Sequence, residues 1–566
     1  MRRTRRPVIV LPVLAIVLSI AAGHASADSS YNLEFQPPPA HFIEYPDGAP
    51  QLPTAIATQR LDWKPCTEAG LIAAANGKPA AGVRAPLLDG LDCATVRTPL
   101  DWTQPEGGPV ATFEISRLPA RKPAARLLLT SPGGAGAGSL LNPIEWATAF
   151  PELRETYDLL GFDPRGTRLS STDQDCDATI SGDPLLLGTG RNDRTDVLDF
   201  SADSVRLQLG QARDWVRSCV DRTPASAATA GTITHWQTVR DLDLVRALLG
   251  APTWSYLGVS QGTLLGLELA RTFPDRVDRM VLDSVADPAV STTAGYAERF
   301  LRQQKVIEQQ FAPWLATRGT AFGDNTGAVR TALTTLRADL TAHPIPLPLD
   351  RTFSGNDLNT LFFGVDNSPY EVLERKLLTL RAAIDYPSAT TQLNAAMAFR
   401  ITPLLDELAQ DVLFASSRIG WWTARNCDVG AWSHDIDEVV DMARQLAATA
   451  PLTYLGMGFA AVCAFWPQPH TGTSTVGYDR IGSAILIANE RDPVTPISGA
   501  RAVRSTIPNA RLITVVGKPG HLVLPQTRPK GLPGSVPGTS SCARAIAAEY
   551  LVHGRIPDRD LSCQPD

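Results

Sequence analysis

The segment Tyr256-Leu257-Gly258-Val259-Ser260-Gln261-Gly262-Thr263-Leu264 constrains this chain more than any other. It carries Gly-x-Ser-x-Gly at Gly258, Ser260 and Gly262, straight after the apolar run Trp254 to Val259 and straight before a stretch of helical character. A strand, a sharp turn and a helix in that order lift a serine hydroxyl clear of a sheet, and the flanking glycines leave room for the turn. The backbone N–H of Gln261 then points to where negative charge develops on an attacked carbonyl oxygen. Five residues in this pattern arise by chance in long proteins. The strand–turn–helix setting makes the match specific, and Ser260 the candidate nucleophile.

Around this segment short apolar runs recur at Arg126 to Thr130, Tyr157 to Phe162, Met280 to Asp283, Ala484 to Ala488 and Leu512 to Val516. Each meets Gly, Asp or Pro at or soon after its end, as buried parallel strands do where their loops carry function. The stretch from Asp28 to about Pro109 reads as an irregular, Pro- and Ala-rich extension leading into a first strand at Ala111 to Leu118. Val239, Leu242, Leu244, Val245, Leu248 and Leu249 fall at helical spacing, with Arg240, Asp241, Asp243 and Arg246 on the other face. Strand and helix in alternation predict an α/β sheet covered on both sides. From about Asp287 to Asp479 the strand runs nearly vanish, and amphipathic stretches such as Ala297 to Phe311, Val329 to Leu340 and Pro369 to Ile384 take over. A helical insertion between two strands of the sheet is expected there. At 566 residues the chain exceeds what one core serves. The expected organisation is a signal peptide over 1–27, an extension and first sheet portion over 28–286, a helical cap over 287–479, and the rest of the sheet with a tail over 480–566.

In a sheet built this way the acid and base follow the nucleophile, in the order Ser, acid, His. Of the histidines, only His521 and His553 lie beyond the returning strands. His553 ends a C-terminal helical stretch, where a cation near the terminus is explanation enough. His521 follows the last apolar run through Gly517-Lys518-Pro519-Gly520 and is the candidate base. The run at Ala484 ends in Asn489-Glu490-Arg491-Asp492. Asp492 is preferred to Glu490 as the acid because Pro493-Val494-Thr495-Pro496 follows, with Thr495 a candidate N-cap and Pro496 at the first helical position. The second oxyanion donor is expected in the loop Ser131-Pro132-Gly133-Gly134-Ala135-Gly136, at Gly134. That loop lacks the Lys-Ser/Thr ending of a P-loop and the spacing of a dinucleotide fingerprint, which argues against phosphate binding.

Arg2, Arg3, Arg5 and Arg6, the apolar run Val8 to Ala22, and Ala25-Ser26-Ala27 before Asp28 have the form of a secretory signal peptide. Export implies an oxidising compartment, so the eight cysteines Cys66, Cys93, Cys176, Cys219, Cys427, Cys463, Cys542 and Cys563 read as disulfides, with pairing in chain order the simplest choice. None sits in a CxxC arrangement, and neither a metal nor a cofactor is expected. A net charge of -6 supplies no basic field for nucleic acid, and no later run is apolar enough to span a bilayer. An extracellular or wall-associated location follows.

Pro132-Gly133-Gly134-Ala135-Gly136, Asp163-Pro164-Arg165-Gly166-Thr167, Asp241-Leu242-Asp243, Gly258-Val259-Ser260-Gln261-Gly262-Thr263, Val281-Leu282-Asp283, Asp492-Pro493-Val494-Thr495-Pro496 and the Gly520-His521 loop occur in the order found in one known group. Through them the chain resembles the secreted tripeptidyl aminopeptidases of actinobacteria, in the prolyl-aminopeptidase-like branch of the α/β-hydrolases. The resemblance implies an α/β-hydrolase fold with a large helical cap and removal of short peptides from peptide or protein N-termini. It also implies acidic groups that hold the substrate ammonium, for which Glu371, Glu374, Asp428 and Glu268 are candidates. Two positions depart from the group: Ala135 stands where a Pro is common, and Gln261 where an aromatic residue is common. A carboxylic ester hydrolase on the same triad is the alternative.

Overall fold

Apolar runs buried on both faces build the centre of the sheet. The structure, a computed structural model, describes residues 53–67, 88–122, 126–131, 133, 139–167, 169–173, 195–220, 229–290, 292–347, 351–363, 365, 369–385, 426–428, 433–466, 476–525 and 538–566. Strands are β1 (Lys64–Pro65), β2 (Asp92–Pro99), β3 (Val110–Leu118), β4 (Arg126–Ser131), β5 (Tyr157–Phe162), β6 (Trp254–Val259), β7 (Val277–Asp283), β8 (Ile345–Leu347), β9 (Arg351–Phe353), β10 (Ala484–Arg491), β11 (Ala510–Pro519) and β12 (Leu561–Cys563). All but β8 and β9 form one sheet, ordered β1-β2-β3-β5-β4-β6-β7-β10-β11-β12. From β5 through β4, β6, β7, β10, β11 and β12 every pairing is parallel; β1, β2 and β3 join antiparallel.

Successive side chains of a strand point to opposite faces. Leu127, Leu129, Tyr256, Leu282 and Leu486 accordingly pack into one apolar cluster, and Leu128, Leu257, Val259, Val281 and Ile487 into another. Both faces are buried, so these strands read as continuous apolar runs.

Two expectations change. The segment before Ala111 is not wholly irregular, because β2 pairs along its length with β3. Its buried Ala94, Val96 and Thr98 alternate with Thr95 and Arg97, a strand whose short period is easily lost among polar neighbours. The helix His235–Leu248 lacks the expected solvated face: Arg240, Asp241 and Asp243 are buried beside Leu242 and Leu244, and Arg246 is half-buried. Asp241 accepts from Arg165, from Trp102 Nε1 at 2.8 Å and from Thr98, which explains how a charge survives there.

Between β7 and β10 the described residues are mostly helical, with helices Thr292–Val306, Thr326–Ala342, Tyr370–Asp385 and Ile436–Thr449 and the small hairpin β8–β9. Ile307, Phe311, Leu333, Leu336, Phe362, Leu373 and Leu377 give this insertion an apolar core of its own. The molecule is thus an α/β-hydrolase fold with an inserted helical cap.

Disulfides join Cys66 to Cys93, Cys427 to Cys463 and Cys542 to Cys563. Cys219 is also disulfide-bonded, and Cys176 lies outside the described residues, as do 1–27. The last bridge ties the helix Ser541–His553 to the edge strand β12. No described helix is long and apolar enough to cross a membrane.

Candidate active site

β6 ends at Val259, and the next residue takes a conformation that L-residues seldom adopt: Ser260 has φ 52° and ψ -124°. Such strain persists only where the surroundings over-determine it. Here the Ser260 N–H donates to the carbonyl of Asp283 at the end of β7 (2.9 Å), and Thr263 returns both its N–H and its hydroxyl to the Ser260 carbonyl (2.9 and 2.6 Å). A Cβ on Gly258 would lie 2.6 Å from the Tyr256 ring and 2.7 Å from the Gly262 carbonyl, so the turn closes only around glycine. The helix Gln261–Thr272 starts immediately after, leaving its first N–H groups without intrahelical acceptors.

The other two side chains arrive from the next strands of the sheet. His521 Nε2 lies 2.9 Å from Ser260 Oγ, and its Nδ1 lies 2.9 and 3.1 Å from the two oxygens of Asp492. Asp492 is buried and also accepts from the N–H groups of Val494 (2.8 Å) and Thr495 (2.9 Å). The Thr495 hydroxyl donates to it at 2.9 Å and lies 3.3 Å from His521 Nδ1. Thr495 therefore serves the carboxylate rather than capping a helix; the helix Ile497–Thr506 begins after Pro496, which has no capping side chain. Glu490 is exposed and accepts from the Gly517 N–H (2.9 Å), away from the relay. His553 is exposed at the end of its helix, 4.0 Å from Glu549.

The histidine loop has anchors that the sequence reading did not single out. Asn489 donates to the carbonyls of Gly520 (2.9 Å) and Leu522 (3.1 Å), and Ser284 Oγ accepts from the Leu522 N–H (3.0 Å). The fully buried Asp283 accepts from the N–H groups of Val523 (3.0 Å) and Leu524 (2.8 Å). Burial pushes its carboxyl up to about 6, against those two N–H bonds and the nearby His521. An acidic residue closing an apolar strand is the signal that could have marked it.

On the opposite side, the loop after β4 meets the nucleophile. A Cβ on Gly133 would sit 2.8 Å from Ser260 Cβ, so glycine permits the contact. Gly134, the expected oxyanion donor, lies outside the described residues. The cap reaches the same place through Asn426, whose Oδ1 accepts from Gln261 Nε2 at 2.6 Å.

The four candidate carboxylates are each placed. Glu268 bonds Arg271 at 2.6 Å; Glu374 is buried and bonds Arg318 at 3.2 Å. Asp428, also buried, accepts from the N–H of His235 (2.6 Å) and lies 2.8 Å from its Nδ1. Glu371 is exposed in the first turn of Tyr370–Asp385. Among the described residues no cluster of three or more His, Cys, Asp or Glu is set to hold a metal.

Fold and site together define a serine hydrolase of the α/β-hydrolase superfamily. Residues 127–363 match the family model described as alpha/beta hydrolase fold, and residues 453–563 the one described as TAP-like protein. The chain is 27% identical to a tripeptidyl aminopeptidase of Streptomyces lividans over 488 residues, 84% of each chain. It is 25% identical to serine protease Hip1 of Mycobacterium tuberculosis over 523 residues, 89% of this chain and 91% of that one. It is 26% identical to carboxylesterase B of Mycobacterium tuberculosis over 547 residues, 94% of this chain and 95% of that one. The protein has an α/β-hydrolase fold and is similar to these actinobacterial peptidases and hydrolases.

Proposed function

We propose that the protein is an exported serine hydrolase that cleaves carboxylic esters through an acyl-enzyme on Ser260. The observation that carries the reading is the relay Ser260–His521–Asp492, closed at 2.9 Å on both sides of the imidazole. Ser260 Oγ attacks the acyl carbon while His521 Nε2 takes its proton. Asp492 holds the proton on Nδ1 and stabilises the imidazolium. The Gln261 N–H, with Gly134 as its partner, receives the oxyanion. Collapse expels the alcohol, which leaves with the proton from His521. Water then repeats the sequence, releasing the acid and restoring Ser260.

Among the described residues, three of the four candidate carboxylates are already engaged, which favours an ester over a peptide. Glu268 and Glu374 are neutralised by arginines, Asp428 is taken up by His235, and Glu371 is exposed on a cap helix. An exopeptidase needs an uncommitted carboxylate to hold the substrate ammonium, whereas an ester of an uncharged acid does not. The likeness to carboxylesterase B over 94% of the chain agrees with this reading. The second reading, release of short N-terminal peptides, is favoured by the likeness to tripeptidyl aminopeptidase and by the TAP-like match over residues 453–563.

Turnover of p-nitrophenyl acetate and butyrate, compared with aminoacyl, dipeptidyl and tripeptidyl p-nitroanilides, separates the two. Ester turnover is expected to dominate in kcat/KM and to vanish in Ser260→Ala. Efficient release of a tripeptide from an anilide would replace the ester reading with the peptidase one and leave the Ser260 mechanism standing.

A further inference from the structure

Asp283 is bonded both to the turn that carries Ser260 and to the loop that follows His521. Its backbone carbonyl accepts the Ser260 N–H at 2.9 Å, fixing the strained turn. Its carboxylate accepts from Val523 and Leu524, directly after His521. The next residue continues the pattern: Ser284, at φ 56°, receives the Leu522 N–H, and Leu522 is itself at φ 72°. Two residues in a disfavoured backbone region face each other across these bonds, so the loop adopts its shape only while they hold.

We propose that Asp283 is a positioning residue that sets the Ser260–His521 distance, holding the nucleophile's turn by its carbonyl and the histidine's loop by its carboxylate. The proposal rests on the assignment of Ser260 as nucleophile and His521 as base. Asp283 is fully buried, and among the described residues no Lys or Arg pairs with it. The charged groups acting on it are His521, which favours its ionised form, and Asp492, which opposes it. Its value in the folded chain is above the ordinary carboxylate value, so by linkage its stabilising contribution is present below the unfolded value and is lost as pH rises through about 6. A carboxylate kept in the core at neutral pH is therefore a liability to the fold, and its use lies in the ionised form's capacity to accept both N–H groups. Both N–H groups converge on Oδ2 (3.0 and 2.8 Å), while Oδ1 accepts from the Val523 N–H at 3.2 Å and lies 3.4 Å from Ser284 Oγ. A proton on Oδ1 therefore faces the Val523 N–H and weakens the hold on the loop that carries His521.

The test is the second-order rate at which a fluorophosphonate labels Ser260, followed from pH 4.5 to 8 in the wild type and in Asp283→Asn. Labelling reads the competence of the Ser–His pair without a substrate. In the wild type the logarithm of the rate is expected to fall toward acid with a limiting slope of two, one of the two protons being that of Asp283. Asp283→Asn sets its amide NH2 either against the Val523 N–H that now reaches Oδ1 or against both N–H groups that converge on Oδ2, and is expected to label at least tenfold more slowly at pH 8 and to show a slope of one. A wild-type slope of one, an unchanged rate in Asp283→Asn, or a slope of two in that variant each overturns the proposal. If Asp283→Asn does not fold, the wild-type slope decides alone. Absence of labelling in the wild type at every pH would instead overturn the assignment of Ser260.

Discussion

Asp492→Asn is expected to lower hydrolysis at Ser260 about 10⁴-fold while leaving the fold intact. The two side chains have the same shape, so the amide oxygen can keep the N–H bonds from Val494 and Thr495 that now reach Asp492 Oδ1. The amide nitrogen then falls where Oδ2 lies, 2.9 Å from His521 Nδ1 and 2.9 Å from the Thr495 hydroxyl. That nitrogen donates, so Nδ1 must accept, and the imidazole proton moves to Nε2. An Nε2 that carries a proton cannot take one from Ser260. The loss should appear in kcat with little change in KM, because nothing in the acyl pocket moves. Steady-state kinetics beside a thermal melt check this, and a variant within tenfold of wild type would remove Asp492 from the relay.

Arg165→Leu is expected to destabilise the fold by about 3–5 kcal/mol, because it strands a buried charge. The side chains of Arg165 and Asp241 are 1% and 3% exposed. The guanidinium bonds both Asp241 oxygens and the carbonyls of Pro99 and Leu100, tying β2 and the loop after β5 to the helix His235–Leu248. Without it, Asp241 keeps only Thr98 and Trp102 as donors. Adding Asp241→Leu to Arg165→Leu should recover part of the loss, since two apolar groups leave no unpaired charge. By contrast Arg206, exposed and paired with Asp203 at 2.8 Å, should cost under about 0.5 kcal/mol when replaced by Leu. Denaturant midpoints of the three variants measure these differences. Equal effects for Arg165→Leu and Arg206→Leu would contradict the account of the buried pair.

The parts of the molecule readable from sequence are those where one local rule decides. Tyr157–Phe162 and Trp254–Val259 are strands at the residues their apolar runs mark, since burial on both faces leaves little else in the run. Ser260, Asp492 and His521 come together because each ends a strand or follows one, and chain order limits the choice. What escaped depends on partners far along the chain. Asp241 reads as a surface charge until Arg165, separated from it by 76 residues, is seen against it. Asp283 reads as a strand terminus until the loop at Val523 folds onto it. Thr495 reads as a helix cap because its spacing suits one, and only the geometry assigns its hydroxyl to Asp492. The four carboxylates singled out as ammonium anchors share this weakness, because a charge on an amphipathic stretch carries no record of its partner.

The central claim is that Ser260 is the group acylated. Exposure of the intact protein to a fluorophosphonate, followed by mass measurement and peptide mapping, tests it directly. A single adduct on Ser260, absent from Ser260→Ala, is the predicted result; no adduct, or one that persists in Ser260→Ala, would contradict it.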